Sequence, residues 1–134
     1  MVVDGSETGR RALDRALQRA RERGTSVTLL AIVPPRLWRA KQAQFQASPD
    51  KHDEEFARGL LSEAKQICKR EGVRCAGRLR AGPPADVITE EAGRGFDGVI
   101  LGERRRTTGA PSLGAILRAR LAISVEVVEE DDGR

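Results

Sequence analysis

The chain has 134 residues, 39% hydrophobic and 33% charged, which suits one domain with a true apolar core and excludes both a disordered tail and a membrane-spanning protein. Its 24 Lys and Arg against 20 Asp and Glu leave +4, and with no Tyr and only scattered aromatics (Trp38, Phe45, Phe56, Phe96) there is nothing to interleave with the basic residues for base stacking. Nucleic acid is therefore not an expected partner. No apolar run approaches the roughly 20 residues that cross a bilayer, and the start lacks a basic-then-apolar secretion signal, so the expected compartment is the cytoplasm. The two cysteines, Cys68 and Cys75, lack metal-ligand spacing and read as reduced core thiols.

In chain order, Met1 to Asp4 is a short apolar strand, and Gly5-Ser6 supplies a turn and a helix N-cap. From Glu7 to Arg23, Ala12, Leu13, Ala16, Leu17 and Ala20 recur at three- and four-residue spacing, which predicts an amphipathic helix ended by Gly24. Ser26 to Val33 is a run of branched and apolar residues of the length of a buried strand, stopped by Pro34-Pro35. Arg36 to Asp50 has no clear period and reads as a long, partly helical connection in which Leu37, Trp38 and Phe45 pack locally. A second helical stripe, Phe56, Leu60, Leu61, Ala64, Ile67 and Cys68, runs from about Lys51 to Gly72.

Val73 to Arg80 alternates as a half-exposed edge strand. Gly82-Pro83-Pro84-Ala85 then opens a third helix with Val87, Ile88 and Ala92 inward. Gly98 to Gly102 is a central strand leading to a loop that needs close backbone approach. Leu113, Ile116, Leu117 and Leu121 suit a short fourth helix, and Ile123 to Val128 a last strand before a charged, frayed tail from Glu129. Strands alternating with helices at this rhythm predict right-handed βαβ units and a parallel sheet in one domain, residues 1–134, with ligands in the crevice beyond the strand carboxyl ends. The lips of that crevice are the Asp4 loop and the Gly102 loop.

Five elements in order and spacing, Val2-Val3-Asp4-Gly5-Ser6-Glu7, the helix with Ala12-Leu13, Leu29-Leu30-Ala31-Ile32-Val33-Pro34, Gly82-Pro83-Pro84-Ala85 and Val99-Ile100-Leu101-Gly102, resemble the universal stress proteins of the nucleotide-binding alpha hydrolase-like superfamily. The resemblance implies a Rossmann-like α/β fold with an open five-stranded parallel sheet of order 3-2-1-4-5, helices on both faces, and a homodimer through the last strand, here Ile123, Val125 and Val127. The family's first strand starts several residues before its Asp, whereas only Met1-Val2-Val3 precede Asp4 here, which reads as a late start or an excised domain and predicts lower stability.

ATP-binding members carry Gly-x-x-Gly, nine residues, then Gly-Ser or Gly-Thr. Gly102 matches the first glycine, but Arg105 stands at the second, the spacer Arg106 to Leu113 is one residue short, and Gly114-Ala115 lacks the hydroxyl. The resemblance thus implies a degraded ATP motif. Its implied nucleotide contacts are Val2, Val3, Asp4, Ile32, Leu101, Gly102, Gly114 and Ala115, with Arg104 and Arg105 offering side-chain contacts to an anion in place of amides. The plainer alternative has Asp4 capping the first turn and the arginines as a solvated loop. His52, among Lys51, Asp53, Glu54 and Glu55 at a helix start, reads as a solvated first-turn residue, and Ser6, Ser62, Ser112 and Ser124 belong to no catalytic constellation. The expected function is a non-enzymatic stress-response or regulatory domain, with weak ATP hydrolysis at most, that acts through dimerisation and partner contacts. The alternatives are an adenine-nucleotide (ATP or AMP) sensor with a modified phosphate loop, or a regulatory domain of a larger protein such as a transporter.

Overall fold

A computed structural model describes residues 1–33, 51–103 and 111–129 of the chain. The expectations for the connection after Val33, for Arg104 to Arg106 and for the tail from residue 130 lie outside the described residues, as does the side chain of His52. The elements are β1 (Val2–Val3), α1 (Glu7–Arg23), β2 (Val27–Val33), α2 (Lys51–Arg70), β3 (Cys75–Ala81), α3 (Pro84–Ala92), β4 (Gly98–Glu103), α4 (Leu113–Arg120) and β5 (Ser124–Glu129). Among the described residues no helix is long and apolar enough to cross a membrane.

The strand pattern decides the layers. In β2, Val27, Leu29, Ala31 and Val33 point to one face, where they meet Leu13, Ala16, Leu17 and Ala20 of α1 and Ala57, Leu61, Ala64 and Cys68 of α2. Leu30 and Ile32 point to the other, into a second core with Val87, Ile88 and Ala92 of α3, Leu117 of α4, and Val99 and Leu101 of β4. β1 and β4 serve both cores, since Val3 and Ile100 join the first while Val2, Val99 and Leu101 join the second. At 25 cal/mol per Å² of apolar surface, each leucine or isoleucine buried in these layers stabilises the fold by about 2 kcal/mol.

All ladders are parallel. β2 pairs with β1 (Val2↔Leu30, Val3↔Ala31) and with β3 along its whole length, Val27↔Cys75 to Val33↔Ala81. β4 pairs with β5 from Gly98↔Ser124 to Glu103↔Glu129. The expected single five-stranded sheet is thus corrected to a three-stranded sheet, order β1-β2-β3, and a two-stranded sheet, β4-β5. β1 lies beside β4 without a ladder. β1 is only two residues long, and Met1 adds two bonds to β2: its carbonyl takes the Leu30 N–H at 2.9 Å and its amino group donates to the Thr28 carbonyl at 3.0 Å.

One side chain departs from its expected place. Phe56 is 65% exposed, because the buried stripe of α2 is Ala57, Leu61, Ala64 and Cys68, one position round the helix from it. Between β3 and α3, the buried Glu91 carboxylate meets Arg78 Nε at 2.7 Å, off the hydrogen-bond axis, and accepts a hydrogen bond from Arg80, which also bridges to Glu90 at 3.0 Å. Burial alone pushes Glu91 up, but the facing Arg78 and Arg80 outweigh it and hold its carboxyl below the ordinary range.

Candidate functional site

Two places invite a ligand, and they lie at opposite ends of the strands. A cavity of about 390 Å³ opens at the amino ends, between Met1, Val2, Thr28, Gly98, Val99 and the last turns of α1. It flanks the start of the short β1 and contains none of the loop residues singled out from the sequence except Val2. The expected crevice lies beyond the carboxyl ends of β1 and β4, where the first turns of α1 and α4 begin.

The α1 lip is self-satisfied. Ser6 is the N-cap, its Oγ accepting the Gly9 N–H at 2.9 Å. Asp4 accepts from the Ser6 N–H at 2.9 Å and the Ser6 hydroxyl at 2.7 Å, which folds the turn at the end of β1 and turns its carboxylate over the first turn of α1. Gly102 approaches the same turn from β4, and a Cβ there would lie 2.5 Å from the Thr8 carbonyl oxygen and 2.6 Å from the Gly9 nitrogen. Only a glycine permits this approach. Asp4 and Gly102 therefore meet at one helical turn.

The α4 lip is satisfied as well, by a residue the sequence reading passed over. Glu103, the residue after Gly102, turns its carboxylate onto α4 and accepts the Gly114 N–H at 2.8 Å. Ser112 is the N-cap, its Oγ accepting the Ala115 N–H at 3.1 Å and its carbonyl the Ile116 N–H at 3.0 Å. Gly114 has no room for a side chain, since a Cβ would lie 2.5 Å from Val127 Cγ2 and 3.0 Å from Glu103 Oε2. The missing hydroxyl at Ala115 is thus offset by Ser112 three residues earlier, and the helix end that would attract an anion holds an internal one. The legible signal was an acid directly after the glycine that closes a strand, with Ser three residues before the helix amide it caps.

The remaining sequence-predicted contacts divide between core and crevice. Val2 and Val3 pack into opposite layers, Ile32 packs half-buried in the second core, and Leu101 is 1% exposed, so its side chain is core and only its backbone faces the crevice. Ala115 is exposed at the first turn of α4. Ile123, Val125 and Val127 are half-buried against the second core rather than forming an open row. The edge of β5 is partly covered by arginines: Arg118 donates to the Val125 carbonyl through Nε and NH2, each at 3.3 Å, and Arg11 to the Glu129 carbonyl at 3.2 Å.

A family model for the universal stress protein family matches residues 1–119. The chain belongs to that family. Solved structures agree on the fold of this universal stress protein chain. It superposes on the hypothetical protein MJ0577 with a TM-score of 0.80 at 20% identity, covering 98% of this chain and 94% of that one. A universal stress protein in complex with cAMP gives 0.71 at 23% identity, covering 96% and 93%. The universal stress protein from Archaeoglobus fulgidus in complex with dAMP gives 0.73 at 21% identity, covering 95% and 93%. No curated protein shows a significant match to the chain.

Proposed function

We propose that this universal stress protein domain is a non-enzymatic, cytoplasmic stress-response regulator that works through a homodimer and partner contacts, with the phosphate end of its crevice given up. The observation that carries the reading is at the first turn of α4, where the Gly114 and Ala115 N–H groups already have the Glu103 carboxylate and the Ser112 hydroxyl as acceptors. A phosphate seated there would have to displace both. The fold reading that goes with it is one domain over residues 1–134, which the two cores shared by β1 and β4 favour. Dimerisation uses β5, which pairs only with β4 among the described residues and carries Ile123, Val125 and Val127. Arg118 and Arg11 leave its carbonyls when a partner arrives. Sedimentation of nucleotide-free protein tests this: a dimer that Val125→Lys converts to a monomer is expected, and a wild-type monomer that dimerises only with nucleotide defeats it.

A second reading has a specific observation in its favour, because two of the similar structures hold cAMP and dAMP. On that reading the domain is an adenine-nucleotide sensor that uses Asp4 and Ile32 on the adenosine side and Gly102 and Gly114 at the phosphate loop, with Arg104 and Arg105 in place of the missing glycine. Calorimetry with ATP and AMP decides it: wild-type binding that Asp4→Ala weakens is expected, and no binding by wild type defeats the reading.

A further inference from the structure

We infer that Glu103 is the specificity-determining residue of the crevice, an internal anion that occupies the first turn of α4 and makes the domain discriminate against ligands carrying a phosphate. The inference rests on the reading that the phosphate end is given up, and it names the residue responsible. A carboxylate offers that turn what a phosphate offers, negative charge and acceptor oxygens, and Glu103 has the geometry to use both: one oxygen on the Gly114 N–H at 2.8 Å, the other in the space that a side chain at 114 would need. Ser112 takes the Ala115 N–H, so two neighbouring donors of the turn have internal partners.

The exclusion has two separable parts. One is occupancy, because a phosphate oxygen needs the N–H that Glu103 holds. The other is charge, because a phosphate beside that turn would stand next to a carboxylate that strand β4 and Gly102, wedged against Thr8 and Gly9, fix in place. An uncharged adenosine meets neither obstacle. Glutamine at 103 keeps an acceptor oxygen for Gly114 and removes the charge, while serine removes both.

The test is calorimetric titration of adenosine, AMP and ATP into the full chain as wild type, Glu103→Gln and Glu103→Ser. Wild type is expected to show no preference for AMP or ATP over adenosine. Glu103→Ser should bind AMP and ATP about tenfold or more tighter than wild type with adenosine unchanged, and Glu103→Gln should fall between. AMP affinity in Glu103→Ser equal to that of wild type overturns the inference, as does a wild-type preference for AMP over adenosine. Binding of none of the three ligands by any variant also overturns it and leaves the dimer reading standing, whereas a monomer in sedimentation strikes that reading alone.

Discussion

Gly102 of β4 packs its backbone against the first turn of α1, and Gly102→Ala tests how much of the fold depends on that approach. An added Cβ would fall 2.5 Å from the Thr8 carbonyl oxygen, about 0.9 Å inside the 3.4 Å at which ordinary contact begins, and would also meet the Thr8 carbonyl carbon and the Gly9 nitrogen. All three are backbone atoms of a capped helix, so no rotamer change relieves the clash. Either β4 or the 17-residue α1 must move by nearly 1 Å, and Ile100 then loses its fit against the layer that Leu13 and Leu17 fill. A gap of that size forfeits a quarter to a half of each dispersion contact it opens, and overpacking of this kind costs about 1–3 kcal/mol; with backbone on both sides we expect about 3 kcal/mol. For a domain of this size that lowers Tm by about 10 °C. Thermal unfolding followed by circular dichroism measures it, with Gly59→Ala as control, because Gly59 is helical with no atom near its missing Cβ among the described residues and alanine there should add about 1 kcal/mol. A Gly102→Ala protein melting within about 2 °C of wild type would refute the reasoning.

Other outcomes follow from the cores and the ion network. Leu117 is fully buried among Leu101, Ile88 and Val99, so Leu117→Ala should cost about 3 kcal/mol in urea unfolding without a change in the denaturant slope. Glu91→Gln leaves Arg78 without its carboxylate and Arg80 with Glu90 alone, and since both arginines are partly solvated the cost should be about 2 kcal/mol rather than the full value for a buried pair. The folded pKa of Glu91 is held below its ordinary 4.5, so its contribution is present above that pH and is lost as pH falls through the folded value; wild type should lose stability on acidification more steeply than Glu91→Gln. Burial, with Cys75 beside it, pushes the Cys68 thiol up to about 12, so Cys68 should resist iodoacetamide in the native state while half-buried Cys75 reacts faster. Because that shift raises the folded pKa, its effect appears above about pH 9 as a loss of stability that Cys68→Ala, compared with its own neutral-pH value, does not show.

Local chemistry made most of the elements legible. The apolar run from Ser26 to Val33 has the length of a buried strand, and the Ser6, Gly24 and Pro84 signals bound their helices as expected, because each acts within a turn of its own position. Phe56 was misplaced since hydrophobicity alone cannot tell it from Ala57, the neighbour that lies on the buried stripe with Leu61, Ala64 and Cys68. The break between β1 and β4 was hidden for a related reason: a two-residue strand has the right composition for a central position but too little backbone to pair on both sides. The meeting of Asp4 and Gly102 at the first turn of α1 was legible, because Asp4 closes a tight turn with Ser6 and Gly102 needs close backbone approach. Glu103 was not, because its partner is eleven residues away across a loop, and the reading of the motif weighed glycines and hydroxyls rather than the acid between them. The Arg78, Arg80 and Glu91 network was illegible for the same reason, its charges being joined only when β3 meets α3.

The most direct measurement is a crystal structure of the wild-type chain grown with excess AMP. The expected result is the Glu103 carboxylate still on the Gly114 N–H and no phosphate at the first turn of α4. A phosphate seated on the Gly114 and Ala115 N–H groups, with Glu103 turned away, would contradict it.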